Sequence, residues 1–344
     1  MEVMVVESPP EFLPHIARSY SDCNRRRSDD SPLVRCQTSC SSSLHRLLVH
    51  SAAECSDDAI CKLIADLDSP SIESKRLAAT ELRFLAKHSP ENRVRIARAG
   101  AVAPLVALLS HPDPQIQEQG VTAILNLSLC DENKSAIAGA GAIRHLVFAL
   151  RFGTPAAREN SACALLRLAQ RDDLRAAIGC SGAIPALVSL LETGGPRGKK
   201  DAATALFALL AAKENMTRAV EAGAVRPLLD LMSDPESGMV DKAAYVLHRV
   251  LSLQEGRRAA VAEGGVPVLV EMVEVGTRRQ KEVSMLSLLE ICKEGAAYRR
   301  MVVREGGIPP VVALVQSSSE KTKEKVTSPP TNSVLGLERI NYFL

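Results

Sequence analysis

The chain has 344 residues, of which 46% are hydrophobic but only 3% aromatic, and its formal net charge is +2. This charge gives no electrostatic case for nucleic acid as the main partner, and no uninterrupted apolar run approaches the roughly 18 residues that membrane insertion needs. The apolar residues are mostly Ala, Val, Leu and Ile, and tryptophan is absent, which at this length favours an elongated stack of helices.

Residues 1–57 are rich in serine and arginine, and we expect them to form a largely disordered N-terminal arm. Their start, MEVMVVESPPEFLP, has an acidic residue at position 2 and early prolines instead of the basic start and apolar run of a signal peptide. Nine cysteines in a chain without an export signal indicate reduced thiols. The sequence therefore predicts a cytoplasmic protein, a nuclear protein or both.

The arm contains two candidate phosphorylation sites. Ser28 follows three arginines and Ser31 precedes Pro32, so a phosphate at either serine would add negative charge beside a basic cluster and alter docking of the arm. An inert, solvated tail is the alternative interpretation.

Four potential metal ligands also lie in the arm, in the order Cys36, Cys40, His45 and His50. Zinc fingers with this ligand order place about a dozen residues between the Cys pair and the His pair, which is enough for a turn and part of a helix. Four residues cannot build that structure. We therefore predict a Ser-rich linker that runs into a helix, and no metal site.

A ten-residue phrase recurs six times after the arm, with its leading glycines 41 or 42 residues apart. It reads GAVAPLVALL at 100, GAIRHLVFAL at 141, GAIPALVSLL at 182, GAVRPLLDLM at 223, GGVPVLVEMV at 264 and GGIPPVVALV at 306. A period of about 40–47 residues is that of armadillo and HEAT repeats.

Each repeat predicts three helices: one after the glycine, a longer one such as QEQGVTAILNLSL, and a short one such as ENKSAIAGAG. The glycine permits the sharp bend between the short helix and the next repeat. Three helices and a glycine bend favour the armadillo over the two-helix HEAT unit. We therefore predict an all-α, right-handed superhelical armadillo solenoid of about six repeats over residues 58–318, whose repeats bury their apolar faces by stacking.

The last 26 residues, 319–344, are predicted to form an irregular C-terminal tail. They begin with a helical pattern but give way to TSPPTNSVLGLERINYFL, where the prolines end helical continuation.

Three segments resemble the armadillo region of plant U-box ubiquitin ligases: LCDENKSAIAGAGAI, GTPAARENSACALLRLA and RGKKDAATALFALL. The resemblance implies that the repeats bind substrates or regulators, while a separate U-box recruits the ubiquitin-conjugating enzyme. Residues 1–57 contain none of the phrases that anchor a U-box. We therefore do not predict ligase activity of the chain by itself.

The resemblance also implies that the long helix of each repeat lines a binding groove. In this register Asn126 corresponds to Phe84, Arg167, Ala208, Arg249 and Glu290, so the asparagine occurs once. Proteins similar to importin-α carry tryptophan four residues earlier, where this chain has Thr80, Thr122, Cys163, Thr204, Tyr245 and Leu286. The missing Trp/Asn ladder argues against a nuclear-transport receptor.

The groove is predicted to be polar and somewhat basic. Its candidate protein-binding residues are Gln119, Asn126, Asn160, Arg167, Arg171, Lys242, Tyr245 and Arg249. Arginines on rigid helices can hold carboxylates or phosphates with two hydrogen bonds, so an acidic or phosphorylated partner segment is one hypothesis. Solvated faces of long helices are the other.

No catalytic motif occurs in the sequence: the seven histidines are scattered, and phosphate loops, zinc-protease motifs and nucleophile elbows are absent. We predict no catalytic, cofactor-binding or metal-binding residues. The sequence predicts a monomeric, non-enzymatic scaffold or adaptor that binds partner proteins and is linked to ubiquitin-dependent signalling in plants. The alternative is a substrate-recognition subunit of an E3 ubiquitin ligase.

Overall fold

The computed structural model describes residues 56–317, with side chains described as far as Leu314. The candidate phosphorylation sites Ser28 and Ser31, the cysteines and histidines at 36–50 and the predicted tail at 319–344 lie outside the described residues. Within the described range the secondary structure is helical, as predicted.

Apart from a short 3-10 helix at Pro235–Ser237, the described helices fall into a repeating order of first, long and short helix. The first helices are α1 (Asp57–Leu67), α4 (Val102–Leu108), α7 (Ala142–Phe152), α10 (Ala183–Thr193), α13 (Val225–Met232), α16 (Gly265–Val275) and α19 (Ile308–Ser317). The long helices are α2 (Ile72–His88), α5 (Pro114–Leu127), α8 (Pro155–Leu168), α11 (Pro196–Leu209), α14 (Val240–Val250) and α17 (Arg278–Cys292). The short helices are α3 (Pro90–Arg98), α6 (Asp131–Gly139), α9 (Asp172–Cys180), α12 (Lys213–Glu221), α15 (Gln254–Ala262) and α18 (Ala296–Arg304).

Consecutive repeats stack in two layers. Each long helix packs against the next long helix, from α2 through α17. Each first helix from α1 to α16 packs against its own long helix, and neighbouring first helices pack against one another as far as α19. Leu146 and Leu150 of α7, for example, are fully buried. This stacking confirms the predicted solenoid, in which the core is supplied by neighbours.

The glycines that lead the repeats adopt left-handed backbone conformations, as the bend requires. Their φ angles lie between +72° and +91°, at Gly100, Gly141, Gly182, Gly223, Gly264 and Gly306. A residue with Cβ is strained in this region, which explains the regular recurrence of glycine in the sequence.

We expect Gly182→Ala to lower the free energy of unfolding by about 1–2 kcal/mol. A Cβ at Gly182 would meet nothing within 4 Å, so backbone strain at φ +81° is the whole effect. Urea denaturation of the purified chain measures it. A loss below about 0.3 kcal/mol would show that the bend tolerates alanine and that this explanation of the repeated glycine is wrong.

An asparagine in some short helices ties three helices together. In α6, Nδ2 of Asn133 donates to the backbone carbonyls of Arg93 and Leu127 at 3.0 and 3.1 Å. Asn215 of α12 makes the equivalent pair of bonds, both at 2.9 Å, and both asparagines are buried. Buried amides must be hydrogen-bonded, so these side chains fix how α6 and α12 sit against the preceding repeats.

A basic residue next to this position caps the preceding long helix. The guanidinium of Arg93 donates to the carbonyl of Ala86 at 2.7 Å, and that of Arg257 to the carbonyls of Leu251 and Ser252 at 3.0 Å. Carbonyls at a helix C-terminus lack partners within the helix, and cations stabilise that end. Arg93 and Arg257, at the same register of α3 and α15, therefore each stabilise the end of the preceding long helix.

Arg257 also forms an ion pair with the nearly buried Glu294, at 2.5 Å. The pKa of Glu294 is lowered because Gln254 and Arg257 donate hydrogen bonds to its carboxylate, which outweighs the opposite effect of burial. A depressed carboxyl pKa stabilises the folded chain fully above the pKa of the unfolded chain, about 4.3, and this stabilisation is lost as the pH falls through the folded pKa.

We therefore expect acid to lower the free energy of unfolding of the wild type more than that of a Glu294→Gln variant. The stability of the wild type should fall between about pH 5 and about pH 3 by more than that of the variant, because glutamine has no charge to lose. Urea denaturation at several pH values measures both slopes. Parallel pH profiles would contradict a folded-state pKa below the usual range.

Among the described residues, no single helix is long and apolar enough to cross a membrane. Two consecutive pairs, α6 with α7 and α9 with α10, reach that length and composition only together, and they bend by 85° and 80°.

Candidate protein-binding groove

The predicted groove residues lie along one face of the long helices. On the three long helices α5, α8 and α11, most of this face is buried. Less than a tenth of each side chain is exposed at these positions, which are Thr122, Asn126, Asn160, Cys163, Arg167, Asp201, Thr204 and Ala208. Adjacent long helices pack so closely here that their polar side chains hold the helices together.

Asn126 is one of these internal ties. It is 7% exposed, and its Nδ2 donates to the backbone carbonyl of Arg83 on the preceding long helix at 3.0 Å. The amide therefore joins α5 to α2, and we do not propose it as a contact for a bound peptide.

Asn160 and Lys242 make equivalent ties one turn further back. Nδ2 of Asn160 donates to Oγ1 of Thr122 at 2.9 Å, and Nζ of Lys242 donates to Oγ1 of Thr204 at 3.1 Å. Oδ1 of Asn160 accepts a hydrogen bond from Nη2 of Arg197 at 2.7 Å. Thr122 and Thr204 occupy the same register, and each accepts a hydrogen bond from the next long helix. Gln119 occupies the register of Asn160 on α5 and is half-buried.

The predicted groove arginines differ in accessibility. Arg167 is 8% exposed. Arg171 keeps 41% of its side chain exposed, but it binds both carboxylate oxygens of Asp173, at 3.0 and 2.9 Å. This pair raises the pKa of Arg171 and lowers that of Asp173. The carboxylate therefore already offsets the charge of Arg171.

The face of α14 stands out because its side chains are larger and half-exposed. Lys242, Tyr245 and Arg249 follow one another along it. The guanidinium of Arg249 lies 4.5 Å from the centre of the Phe207 ring on α11, a cation–π contact that orients it. Burial, and then the nearby Asp241, raise the pKa of Tyr245, so its hydroxyl is a proton donor at neutral pH.

Beside these residues, α11 presents small side chains. Thr204 and Ala208 are 7% and 9% exposed, and the exposed Ala211 follows one turn later. The neighbours α8 and α14, which pack on either side, carry arginine where α11 carries Ala208. We call Thr204, Ala208 and Ala211 the alanine notch.

The sequence alone does not identify the notch, because Ala208 differs there only as a position without the asparagine of Asn126. The signal was present, since the register places an alanine between Arg167 and Arg249. Phe207 could not be assigned to the site because its contact with Arg249 depends on how two helices pack.

The described residues contain no group of three or more His, Cys, Asp or Glu that could hold a metal ion. This face of the long helices offers contacts for binding: the small side chains of the alanine notch, the oriented guanidinium of Arg249 and the phenol of Tyr245.

Comparison with known proteins adds a family match. The family model of the plant U-box protein ARM repeat region matches residues 59–328. U-box domain-containing protein 14 of Arabidopsis thaliana is 49% identical over 79 residues, which are 23% of this chain and 12% of that protein. E3 ubiquitin-protein ligase SPL11 of Oryza sativa subsp. japonica is 50% identical over 70 residues, 20% of this chain and 10% of that protein. The aligned stretches thus span only a small part of these relatives.

Solved structures show the same fold. An engineered protein is 28% identical, with a TM-score of 0.68 over 83% of this chain and 71% of that chain. A computationally designed armadillo repeat protein for modular peptide recognition is 23% identical, with a TM-score of 0.61 over 67% of this chain and 99% of that chain. A designed armadillo repeat protein in complex with the peptide (KR)4 is 22% identical, with a TM-score of 0.59 over 67% and 99% of the two chains.

Proposed function

Because the chain belongs to the family of plant U-box protein ARM repeat regions, we propose that it is a non-enzymatic scaffold or adaptor in ubiquitin-dependent signalling. It binds partner proteins through the groove face of its long helices. The family and the fold support a protein-interaction scaffold, while the link to ubiquitin is supported only by similarity to U-box proteins.

The observation that carries the proposal is the alanine notch beside α14. A floor of small side chains lets the backbone of a bound segment approach the helices closely. The half-exposed Tyr245 and the oriented guanidinium of Arg249 then supply directional contacts. Tyrosine and arginine contribute strongly to protein interfaces because they combine apolar area with donors.

We further propose that the bound segment is acidic or phosphorylated. Arg249 and Lys242 project from one helix face next to the notch. An arginine held by an aromatic ring loses little side-chain entropy when it binds a carboxylate or phosphate. Arg171, by comparison, binds both carboxylate oxygens of Asp173.

We expect Arg249→Glu to weaken binding of a groove partner by about tenfold or more, because it replaces attraction by repulsion. Affinity purification from plant cells with the full chain, followed by titration of the recovered partner, measures it. Arg258→Glu is the matched control, since Arg258 is exposed on the short helix α15 and makes the same charge change. Equal losses in both variants would indicate a general charge effect and remove Arg249 from the site.

A substrate-recognition subunit of an E3 ligase is the second candidate, favoured by the match to ARM stretches of U-box ligases. An in vitro ubiquitination reaction separates the two proposals. It contains the purified chain, the activating enzyme, a conjugating enzyme and ubiquitin. The scaffold proposal predicts no self-modification of the chain, and ubiquitin chains on it would reverse that conclusion.

We expect the chain to sediment as a monomer and to occur in the cytoplasm, the nucleus or both.

A further inference from the structure

Outside the groove, α7 carries two exposed phenylalanines. Phe148 is 41% exposed and Phe152, one turn later, is 66% exposed. Their ring centres lie 5.2 Å apart, and the guanidinium of Arg151 lies 5.2 Å from the ring centre of Phe152. With the exposed Arg144 these residues follow the spacing i, i+4, i+7 and i+8, which places them on one helix face. We call the four residues the α7 stripe.

The α7 stripe is specific to this repeat. At the register of Phe148 the other first helices α4, α10, α13 and α16 carry Ala107, Ser189, Asp230 and Glu271. At the register of Phe152 they carry His111, Thr193, Asp234 and Val275. The whole chain has only six phenylalanines, so two of them side by side at positions that the fold leaves exposed are not explained by packing.

The stripe faces away from the long helices. The opposite face of α7 buries Leu146, Val147 and Leu150 where it packs against α8. A protein on the α7 stripe would therefore contact the layer of first helices, whereas a groove partner contacts the layer of long helices.

Charge identifies the kind of partner. Within the described residues, neither Arg144 nor Arg151 forms an ion pair with a carboxylate. Nε of Arg144 donates to Nε2 of His145 at 3.2 Å, and the stripe itself has no carboxylate. Phenylalanine and arginine are enriched at protein interfaces, where apolar anchors sit in the centre and charges lie at the rim. Two exposed rings beside two arginines without an ion pair thus complement an apolar side chain flanked by Asp or Glu.

We propose that the α7 stripe is a second docking surface, which binds an acidic protein segment through an aliphatic or aromatic anchor side chain. This surface goes beyond the proposed groove function and does not depend on it.

The test is selection of a random 16-residue peptide display library on the full chain, with counter-selection on a Phe148→Ser/Phe152→Thr variant. That variant copies Ser189 and Thr193 of α10 and should therefore keep the fold, which circular dichroism checks. We expect enriched peptides to carry Asp or Glu on either side of an apolar residue. A synthetic peptide of the enriched sequence should bind the variant at least about tenfold more weakly.

Two further variants sharpen the result. Arg144→Glu/Arg151→Glu should also weaken binding of the synthetic peptide by about tenfold or more. Raising the salt concentration should weaken peptide binding to the wild type but hardly to this variant. Ala208→Arg should leave peptide binding unchanged, since it alters only the groove. Loss of peptide binding in Ala208→Arg would place the peptide in the groove and overturn the assignment.

Other occupants are outcomes of the same test. Self-association of the wild type in sedimentation, abolished by the phenylalanine double variant, would assign the stripe to a second copy of the chain. Phenylalanine-dependent flotation with phosphatidylcholine–phosphatidylserine vesicles would assign it to a membrane surface. A library that yields no peptide dependent on the phenylalanines would equally overturn the proposal.

Discussion

Replacing Arg257 by alanine is expected to lower the free energy of unfolding by about 3 kcal/mol. The guanidinium of Arg257 pairs with Glu294 at 2.5 Å and caps the carbonyls of Leu251 and Ser252. The side chains of Arg257 and Glu294 are only 14% and 7% exposed. The substitution would therefore leave a nearly buried carboxylate with Gln254 as its remaining hydrogen-bond donor, and two helix-end carbonyls without a cap.

The neighbouring arginine supplies the control for this prediction. Arg258→Ala removes the same charge from an exposed position of the same helix and should change stability by no more than about 0.5 kcal/mol. Urea denaturation gives both values, and hydrogen exchange should show faster exchange of α14 to α17 amides in Arg257→Ala, because contacts in a solenoid are local. Similar losses in the two variants would mean that the ion pair contributes nothing specific.

Filling the alanine notch is expected to have the largest effect on binding. Ala208→Arg should weaken the affinity for a groove partner by roughly 30-fold, about 2 kcal/mol. The new side chain would occupy the alanine notch, which the bound backbone approaches. The fold should tolerate it, since Arg167 and Arg249 stand at the same register on both neighbouring long helices.

Ala107→Arg is the matched control for this substitution. Ala107 is exposed on the first helix α4, where an arginine would not meet the groove. Titration of purified partner against both variants by calorimetry decides the matter. Undiminished affinity in Ala208→Arg, with native circular dichroism, would place the partner elsewhere.

Much of the fold could be predicted because it follows from local rules repeated at a fixed period. The glycines at 100, 141 and 182 indicate the bends, and the structure gives each a positive φ angle. One period thus defines the helix order, and stacking then determines the neighbours of every helix.

The candidate site was harder to predict because register gives the face of a residue but not its exposure. Asn126 and Asn160 lie on the predicted face, but close packing of adjacent helices turns both into ties between helices. The pairing of Arg171 with Asp173 and the contact of Arg249 with Phe207 likewise depend on side-chain geometry, which the period does not specify.

Photo-crosslinking from Ala211 tests the central claim most directly, namely that the groove face binds protein. A photoreactive phenylalanine analogue would replace Ala211 at the notch or, as a control, the exposed Ala177 on the short helix α9, in the full chain expressed in plant cells. We predict a discrete protein adduct from position 211 that disappears with Ala208→Arg, and no such adduct from position 177. Equal adducts from both positions, or none from 211 while partners still co-purify, would contradict a groove-bound partner.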